Sequence, residues 1–452
     1  MACALLMQNI DGTVVATALP AMARSFGADP LHMNLALTSY LLSLAVFIPV
    51  SGWMADRFGS RTVFSAAIAV FTLGSVLCGA SVNLPMLIAS RIVQGMGGAM
   101  MVPVGRLVLL RSVAKSELVA AMAWLTTPAL IGPVIGPPLG GFLVTYASWH
   151  WIFYINVPIG MVGIWLVTHY VADVRESKPG RLDWVGLILS GACLSGVTFG
   201  SEMAGRGLDS PLLIAVCLGG GVLAGWGYWL HAKRRPDPLL DLSLLKLPTF
   251  AVAVLAGTLF RVGVGAIPFL LPLMMQLGFG KSAAQSGLIT FASAIGAISM
   301  KPAAQWALRW FGFRRTLFLN AIFSAVGVAV CASFRAWWPL PAIYAVLIVA
   351  GFLRSLQFTA YNTIAYADVP RPRMSAATSL YSTIQQLSMT FGVTLGASCL
   401  MLAGHLFGGG GVRVVDFSFA FVVVAGVMAV AAPTSLMMPA NAGAELSGHR
   451  GR

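Results

Sequence analysis

The chain alternates between long apolar segments and short polar connections. Each apolar segment contains about 20 residues or more, which is the length that an α-helix needs to cross a bilayer. We predict fourteen membrane-spanning helices, one for each segment, and therefore an all-α polytopic membrane protein. The predicted spans are residues 2–22, 35–54, 62–81, 84–108, 118–145, 149–171, 183–202, 210–231, 249–275, 284–306, 316–334, 338–364, 376–404 and 416–438.

The fifth span contains a stretch that is unusually rich in glycine and proline. Seven of the ten residues in 132–141 are Gly or Pro. Proline disturbs a helix interior, but neighbouring membrane helices can accommodate the disturbance, and small residues allow helices to pack closely. We predict a kinked, tightly packed helix at an internal seam, either as a moving hinge or as a packing element without a mechanical role. The candidate hinge residues are Gly132, Pro133, Gly136, Pro137, Gly140 and Gly141.

The distribution of Lys and Arg predicts the orientation of the chain in the membrane. With both termini inside, 19 of the 28 basic residues fall on the cytoplasmic side and five fall outside. Cytoplasmic loops carry an excess of basic residues, so this asymmetry predicts cytoplasmic termini and an even number of spans.

An internal repeat predicts two related halves. Phe58-Gly59-Ser60-Arg61 follows the second span, and Phe311-Gly312-Phe313-Arg314 follows the tenth, with Arg309 where the first copy has Asp56. The repeats take equivalent places if two helices are inserted between two six-helix halves, which is a recurring plan among transporters. The predicted domains are a first bundle (1–171), two inserted helices with linkers (172–248), a second bundle (249–438) and a cytoplasmic tail (439–452).

Charged residues inside predicted spans are the candidates for function, because charge within a membrane is energetically expensive. Asp11 is the one acid placed deep in a span, and it is a candidate proton carrier; the alternative is a structural ion pair. Arg91, three residues before Gln94, is its expected partner. Arg261 and Arg354 are candidates for the substrate cavity together with Gln94; they could instead bind protein carbonyls.

Composition excludes several classes of protein. The chain is 58% hydrophobic and 9% charged, and its mean hydropathy is +0.85. The net charge of +14 is scattered over short loops, so we expect no nucleic-acid partner. Without a CxxC pair we predict no disulfide and no metal site. The glycine run at 408–411 is not followed by Lys-Ser or Lys-Thr, so it is no phosphate-binding loop. We see no enzyme motif and predict no cofactor.

Five motifs resemble those of the fourteen-helix drug:proton antiporter family of the major facilitator superfamily, including bacterial multidrug resistance transporters. These motifs are the loop signature at 52–62, the first-helix motif from Asp11 to Pro20, the fourth-helix motif from Arg91 to Gly95, the glycine-proline stretch, and the segment 149–158. The resemblance covers nearly the whole chain. Two features depart from the family pattern. The loop of the second half has Arg309 where the first half has an acid, and most of the charged residues at membrane depth are basic.

The resemblance implies an alternating-access exporter in the plasma membrane, or inner membrane of a bacterium, with the proton gradient as its energy source. It implies that Asp11 exchanges protons and that Arg91 modulates it. It also implies a cytoplasmic gate, in which Asp56 meets a helix end and nearby basic groups. The gate candidates are Gly52, Asp56, Arg57, Gly59 and Arg61.

Three functions remain open at this point. The first is proton-coupled export of small amphiphilic compounds or drugs. The second is a carrier of the same fold dedicated to one metabolite or organic anion. The excess of basic residues at membrane depth argues against a site built only for lipophilic cations, so neutral and anionic substrates have equal weight. The third is a membrane sensor that transports nothing. The expected partners are a small-molecule substrate, protons and lipid, and we expect a monomer.

Overall fold

The computed structural model describes residues 2–27, 33–171, 180–206, 211–408 and 413–448, and these are almost entirely helical. The helices are α1 (Ala2–Phe26), α2 (Asn34–Phe47), α3 (Ser51–Phe58), α4 (Ser60–Gly79), α5 (Leu84–Ser112), α6 (Leu118–Tyr146), α7 (Trp151–Tyr154), α8 (Asn156–Tyr170), α9 (Trp184–Arg206), α10 (Pro211–Arg234), α11 (Pro248–Leu273), α12 (Ala283–Ser299), α13 (Lys301–Cys331), α14 (Leu340–Ile364), α15 (Met374–Phe407), α16 (Val414–Ser435) and α17 (Ala444–Ser447).

The all-helical membrane fold is confirmed. Among the described residues, ten helical stretches are long and apolar enough to cross a membrane, and α2 with α3 forms an eleventh that bends by 58°. Helices α1, α6 and α12 supply the other predicted spans, at 25, 29 and 17 residues. We call the end of the helices that carries the connections after α3, α5 and α8 the basic end, and the opposite end the far end.

The internal repeat corresponds to a repeated backbone break. Gly59 separates α3 from α4 with φ of 94°, and Gly312 interrupts α13 with φ of 68°. Only glycine adopts such angles without steric cost, which explains the glycine in each copy of the repeat. The predicted boundaries here need correction: helix continues beyond residue 306 to Gly312, and the next helical segment begins directly after it, not at residue 316.

Two helical bundles face each other, and a helix hairpin fills one seam between them. Helices α1 to α8 pack together, as do α11 to α16. In the hairpin, α9 packs on α10 and also on both α2 and α15, so it contacts each bundle. Helices α9 and α10 approach each other closely at glycines: a Cβ atom on Gly196 would lie 2.7 Å from the carbonyl oxygen of Cys217. The domain limits stay a prediction.

A buried carboxylate joins the start of α9 to the end of α10. Asp183, immediately before α9, is 2% exposed and lies 2.8 Å from Nε2 of His231 near the end of α10. The backbone N–H groups of Gly186 and Leu239 donate to it at 2.9 and 3.3 Å. Burial acts to raise the pKa of Asp183, but these hydrogen bonds outweigh burial, so its pKa lies below the ordinary value.

We expect Asp183→Asn to destabilise the protein at pH 7. Because the pKa of Asp183 is lower in the folded than in the unfolded chain, its ionised form stabilises the fold at pH values above the ordinary pKa of a carboxyl group. That contribution is lost as the pH falls through the folded-state pKa. Thermal unfolding of wild type and variant should therefore differ at pH 7, begin to converge as the pH falls below about 4, and coincide only below the folded-state pKa. Asp237→Asn, at an exposed position in the connection after α10, is the control and should change little.

The segment around α17 packs against the basic end. Leu446 of α17 is 3% exposed, and Gly443, with φ of 67°, lies against Phe313 of α13. Glu445 pairs with Lys115 in the connection between α5 and α6 at 2.8 Å, and both side chains are largely exposed. The tail therefore touches both bundles at the basic end.

Candidate functional site

A cavity of about 1130 Å³ lies between the two bundles. It begins near the basic end, at Ile48 and Arg106, and reaches Thr145, Tyr146 and Gln276 at the far end. Tyr146 is 76% exposed, so the cavity meets the surface there. Its walls are mainly apolar, and the amides of several Gln and Asn side chains interrupt them. A concave, mostly apolar cavity with a few polar groups is typical of a small-molecule site.

Two arginines line the cavity. Arg354 of α14 lies at the cavity, where the sequence analysis placed it, and is 8% exposed. Arg106 of α5 is 3% exposed; its Nη1 donates to Tyr366 and Ser382 at 3.3 Å each, and its Nη2 donates to Gln385 at 3.1 Å. The sequence analysis counted Arg106 on the cytoplasmic side, near the end of the predicted span 84–108, and did not propose it for the cavity. Arg106 crosses from the first bundle to the second at the floor of the cavity.

Two other cavity candidates lie elsewhere. Gln94 is fully buried inside the first bundle, where its side chain binds Asp11, Ser75 and Arg91. Arg261 of α11 is 1% exposed and packs inside the second bundle. It donates to Tyr381, and to Asn362 at 3.4 Å, and its guanidinium also lies over the Tyr381 ring. Neither residue lines the cavity, because each side chain is buried within its own bundle.

Asp11 lies in a closed polar network of the first bundle. Its Oδ2 accepts from Nη1 of Arg91 at 2.6 Å, and both side chains are inaccessible to solvent. Its Oδ1 accepts from Gln94 at 2.8 Å and from Asn156 at 3.3 Å. Four helices, α1, α5, α8 and through Ser75 also α4, thus meet at this carboxylate. The structure brings the predicted pair together; proton exchange by Asp11 stays a prediction.

Arg91 is held by several groups besides Asp11. Its Nε donates to the carbonyl oxygen of Ala36 at 3.1 Å, and its guanidinium lies 4.2 Å from the centre of the Tyr40 ring. Gly95, one turn further along α5, has no room for a side chain: a Cβ would lie 2.6 Å from Ser43. The fourth-helix motif therefore fixes both the cation and the close approach of α2 and α5.

Asp56 joins the two bundles at the basic end. Nη2 of Arg111 lies 2.9 Å from its Oδ1, and Ser375, in the first turn of α15, donates to its Oδ2. Gly52 is needed beside it, since a Cβ there would lie 2.7 Å from the carbonyl oxygen of Ser375. A carboxylate near a helix N-terminus is favourable by about 0.3–1 kcal/mol.

The remaining gate candidates have different surroundings. Gly59 provides the backbone break described above. Arg57 is exposed and Arg61 half-buried. Ser379, which the sequence analysis missed, donates to the carbonyl oxygens of Ile48 and Pro49 at 3.2 and 2.7 Å, where α2 ends. These contacts between bundles close the cavity toward the basic end.

The glycine-proline stretch packs α6 against α1. Added Cβ atoms on Gly132, Gly136 and Gly140 would lie within 2.5 Å of Asn9, Thr13 and Thr17 respectively. The two rows advance together in steps of four residues, so one face of each helix meets the other along two turns. The tight packing is confirmed. Helix α6 continues through this stretch without interruption, and the side chains of Pro133 and Pro137 lie outside the described residues.

The opposite face of the same stretch borders the cavity. Pro138 and Gly141 line it, and a Cβ on Gly287 of α12 would lie 3.2 Å from Pro138. A Cβ on Gly141 would meet no atom within 4 Å. Helix α6 therefore belongs to the first bundle, borders the cavity and touches the second bundle, which agrees with the predicted seam.

The sequence analysis missed Arg106 and the amide of Asn156. Arg106 is followed by four apolar residues, Leu107 to Leu110, which was a signal that the helix continues beyond the predicted end at residue 108. Asn156 stands inside one of the motifs quoted above, but its partner, Asp11, is distant in sequence.

Comparison with known proteins supports this architecture. The family model described as Major Facilitator Superfamily matches residues 1–393 and 253–444. A protein named "Putative multidrug resistance protein MdtD" from Pectobacterium atrosepticum is 40% identical over 393 residues, which cover 86% of this chain and 83% of that protein. Proteins of the same name from Pectobacterium carotovorum and Salmonella typhimurium are 38% and 39% identical over 96% and 88% of this chain, and 94% and 85% of their own lengths.

Two solved structures share the fold. The human organic anion transporter MFSD10 superposes with a TM-score of 0.69 at 14% identity, covering 96% of this chain and 97% of its own. The proton:xylose symporter XylE superposes with a TM-score of 0.65 at 14% identity, covering 96% and 93%. At this identity they show the fold alone. Family match, relatives and fold agree: the chain belongs to the major facilitator superfamily and is a multi-pass membrane transporter.

Proposed function

We propose that this chain is a proton-coupled exporter of small amphiphilic compounds that works by alternating access. The observation that carries the proposal is the cavity between the bundles, which reaches the surface at the far end while Asp56, Arg106 and Ser379 join the bundles at the basic end. Exchanging these contacts for an equivalent closure at the far end would transfer the opening to the other side.

Helix α1 supports the coupling part of the proposal. Gln8, Asn9 and Thr17 face the cavity, whereas Asp11 on the same helix faces the buried network. Protonating Asp11 would remove its charge and weaken its bond to Arg91. A substrate in the cavity and a proton on Asp11 would then act on the same helix, and each could bias the two conformations.

The orientation and location are part of the same proposal. We place the basic end in the cytoplasm of a bacterial cell, with both termini there, because of the excess of Lys and Arg in the loops. The cavity then opens to the outside in this structure. It is the conformation in which an exporter releases substrate and takes up a proton.

The cavity charges favour a second candidate, a carrier for organic anions. Arg106 and Arg354 line the cavity, and the described residues that line it include neither Asp nor Glu. A site for cations needs a carboxylate or a cluster of aromatic rings to offset the ligand's charge. An anionic group would instead gain charge-assisted hydrogen bonds from the guanidinium groups.

We would test both candidates in inside-out vesicles that contain this protein and a fluorescent reporter of the proton gradient. Cationic, neutral and anionic compounds of similar size are added, with vesicles lacking the protein as the control. We expect some compounds to dissipate the gradient. A response restricted to anions that is lost in Arg354→Gln would support the second candidate. No response to any compound would contradict proton-coupled export.

A further inference from the structure

A second large concavity lies at the basic end, on the outer side of the second bundle. It has a volume of about 1700 Å³ and lies between α13, the connection before α6, the end of α16 and α17. We call it the α13 groove, and it is defined by Ser116, Trp306, Arg309, Arg314, Arg315 and Leu446. The groove is separate from the cavity between the two bundles and shares no lining residue with it.

The α13 groove carries an excess of positive charge. Arg309, Arg314 and Arg315 all line it. Glu445 is the one acid among its described lining residues, and Lys115 offsets that charge at 2.8 Å. Nε of Arg314 is shielded from solvent and has no hydrogen-bond partner among the described residues. A buried donor without a partner is costly, so an acceptor that enters the groove would be favourable.

Aromatic side chains place the α13 groove at the edge of the membrane. Trp306 and Trp310 are 58% and 66% exposed, with ring centres 6.2 Å apart, and Phe311 is 46% exposed. Exposed tryptophans of membrane proteins concentrate at the level of the lipid headgroups. The groove thus has an apolar side toward the bilayer and a cationic side at the basic end.

The repeat gives a further reason to expect an anion here. In the first bundle, Asp56 precedes the backbone break and supplies the negative charge that Arg111 and Ser375 bind. In the second bundle, Arg309 stands at the equivalent place before Gly312, and the helix that begins at Phe313 has its N-terminus beside the arginines. The second bundle thus has a cation at the place where the first bundle has its anion, and this cation adds to the positive charge of the groove.

We infer that the α13 groove binds the phosphate group of an anionic phospholipid from the leaflet at the basic end. Arginine binds phosphate oxygens through paired N–H donors, and the tryptophans contact the glycerol and the first part of the acyl chains. Basic clusters at this level of a membrane are typical of sites for anionic lipids.

The test is native mass spectrometry of the whole protein in detergent with equal amounts of phosphatidylglycerol and phosphatidylcholine. We expect the wild type to retain phosphatidylglycerol preferentially. Arg314→Gln/Arg315→Gln should lower that retention roughly tenfold to thirtyfold. Arg315→Gln alone changes an exposed residue and should lower it in part, which guards against misfolding of the double variant.

The control removes two cations at the same end but outside the α13 groove. Lys233→Gln/Arg234→Gln, at exposed positions of α10, should retain the lipid as the wild type does. Equal loss in this control, or equal retention in the arginine variants, would overturn the inference. So would displacement of the lipid by millimolar inorganic phosphate, which would assign the groove to a soluble anion, or a mass showing a second copy in place of lipid.

Discussion

Asp11→Asn is expected to abolish proton-coupled transport and also to destabilise the first bundle. The substitution leaves the Arg91 guanidinium buried without its carboxylate, and breaking a buried ion pair in this way costs about 3–5 kcal/mol. Thermal unfolding in detergent would measure the stability, and dissipation of the proton gradient in vesicles would measure the transport. Both should fall in the single variant.

A second substitution separates coupling from structure. In Asp11→Asn/Arg91→Gln the site is neutral, so much of the lost stability should return, because no unpaired charge remains buried. Transport should stay absent if Asp11 carries the proton. Asp11→Glu keeps a carboxyl group and should retain part of the coupling. A double variant that responded to compounds as the wild type does would show that the ion pair is only structural.

Gly136→Ala is expected to slow transport at least tenfold and to lower stability by about 1–3 kcal/mol. Its Cβ would lie 1.9 Å from Oγ1 and 2.8 Å from Cβ of Thr13, so α1 and α6 would have to separate. Transport in vesicles and the unfolding temperature would measure the two effects. Thr13→Ala in the same background removes the nearer atom and should restore part of both.

Gly141→Ala is the matched control for Gly136→Ala. It lies on the same helix, and an added Cβ there meets no atom within 4 Å. Both changes raise helix propensity to a similar extent, so a difference between them reports the packing of α1 on α6. Equal effects of the two variants would contradict a packing role for Gly136.

Much of the fold could be predicted from the sequence, because the physics of the bilayer acts on composition. A helix that crosses a membrane must satisfy its own backbone hydrogen bonds and present apolar side chains over about 20 residues, and both requirements are visible in one sequence. The repeat was visible for a similar reason. Gly59 and Gly312 occupy backbone conformations that other residues adopt poorly, so the glycine itself marked the break.

The lining of the cavity could be predicted only in part. Gln94 and Arg354 are both polar residues within spans, and nothing in a single sequence distinguishes the helix face that meets a cavity from the face that meets a neighbouring helix. Arg106 was missed because the predicted span ended two residues after it, which placed the side chain at the cytoplasmic edge, whereas α5 extends to Ser112. Long-range pairs such as Asp11 with Asn156 depend on how the helices pack.

The hairpin of α9 and α10 makes the two sides of the transporter different in the plane of the membrane, because it covers one seam between the bundles and leaves the other uncovered. Along α9, the seam between α2 and α15 is covered, and Thr394 of α15 even donates to the carbonyl oxygen of Ser201 at 3.3 Å. On the other side, Phe142 of α6 and Leu288 of α12 line the cavity and are 60% and 67% exposed. A lipophilic molecule that moves sideways between the cavity and the bilayer would therefore pass by α6 and α12. The side that the hairpin covers would not exchange such molecules with the bilayer.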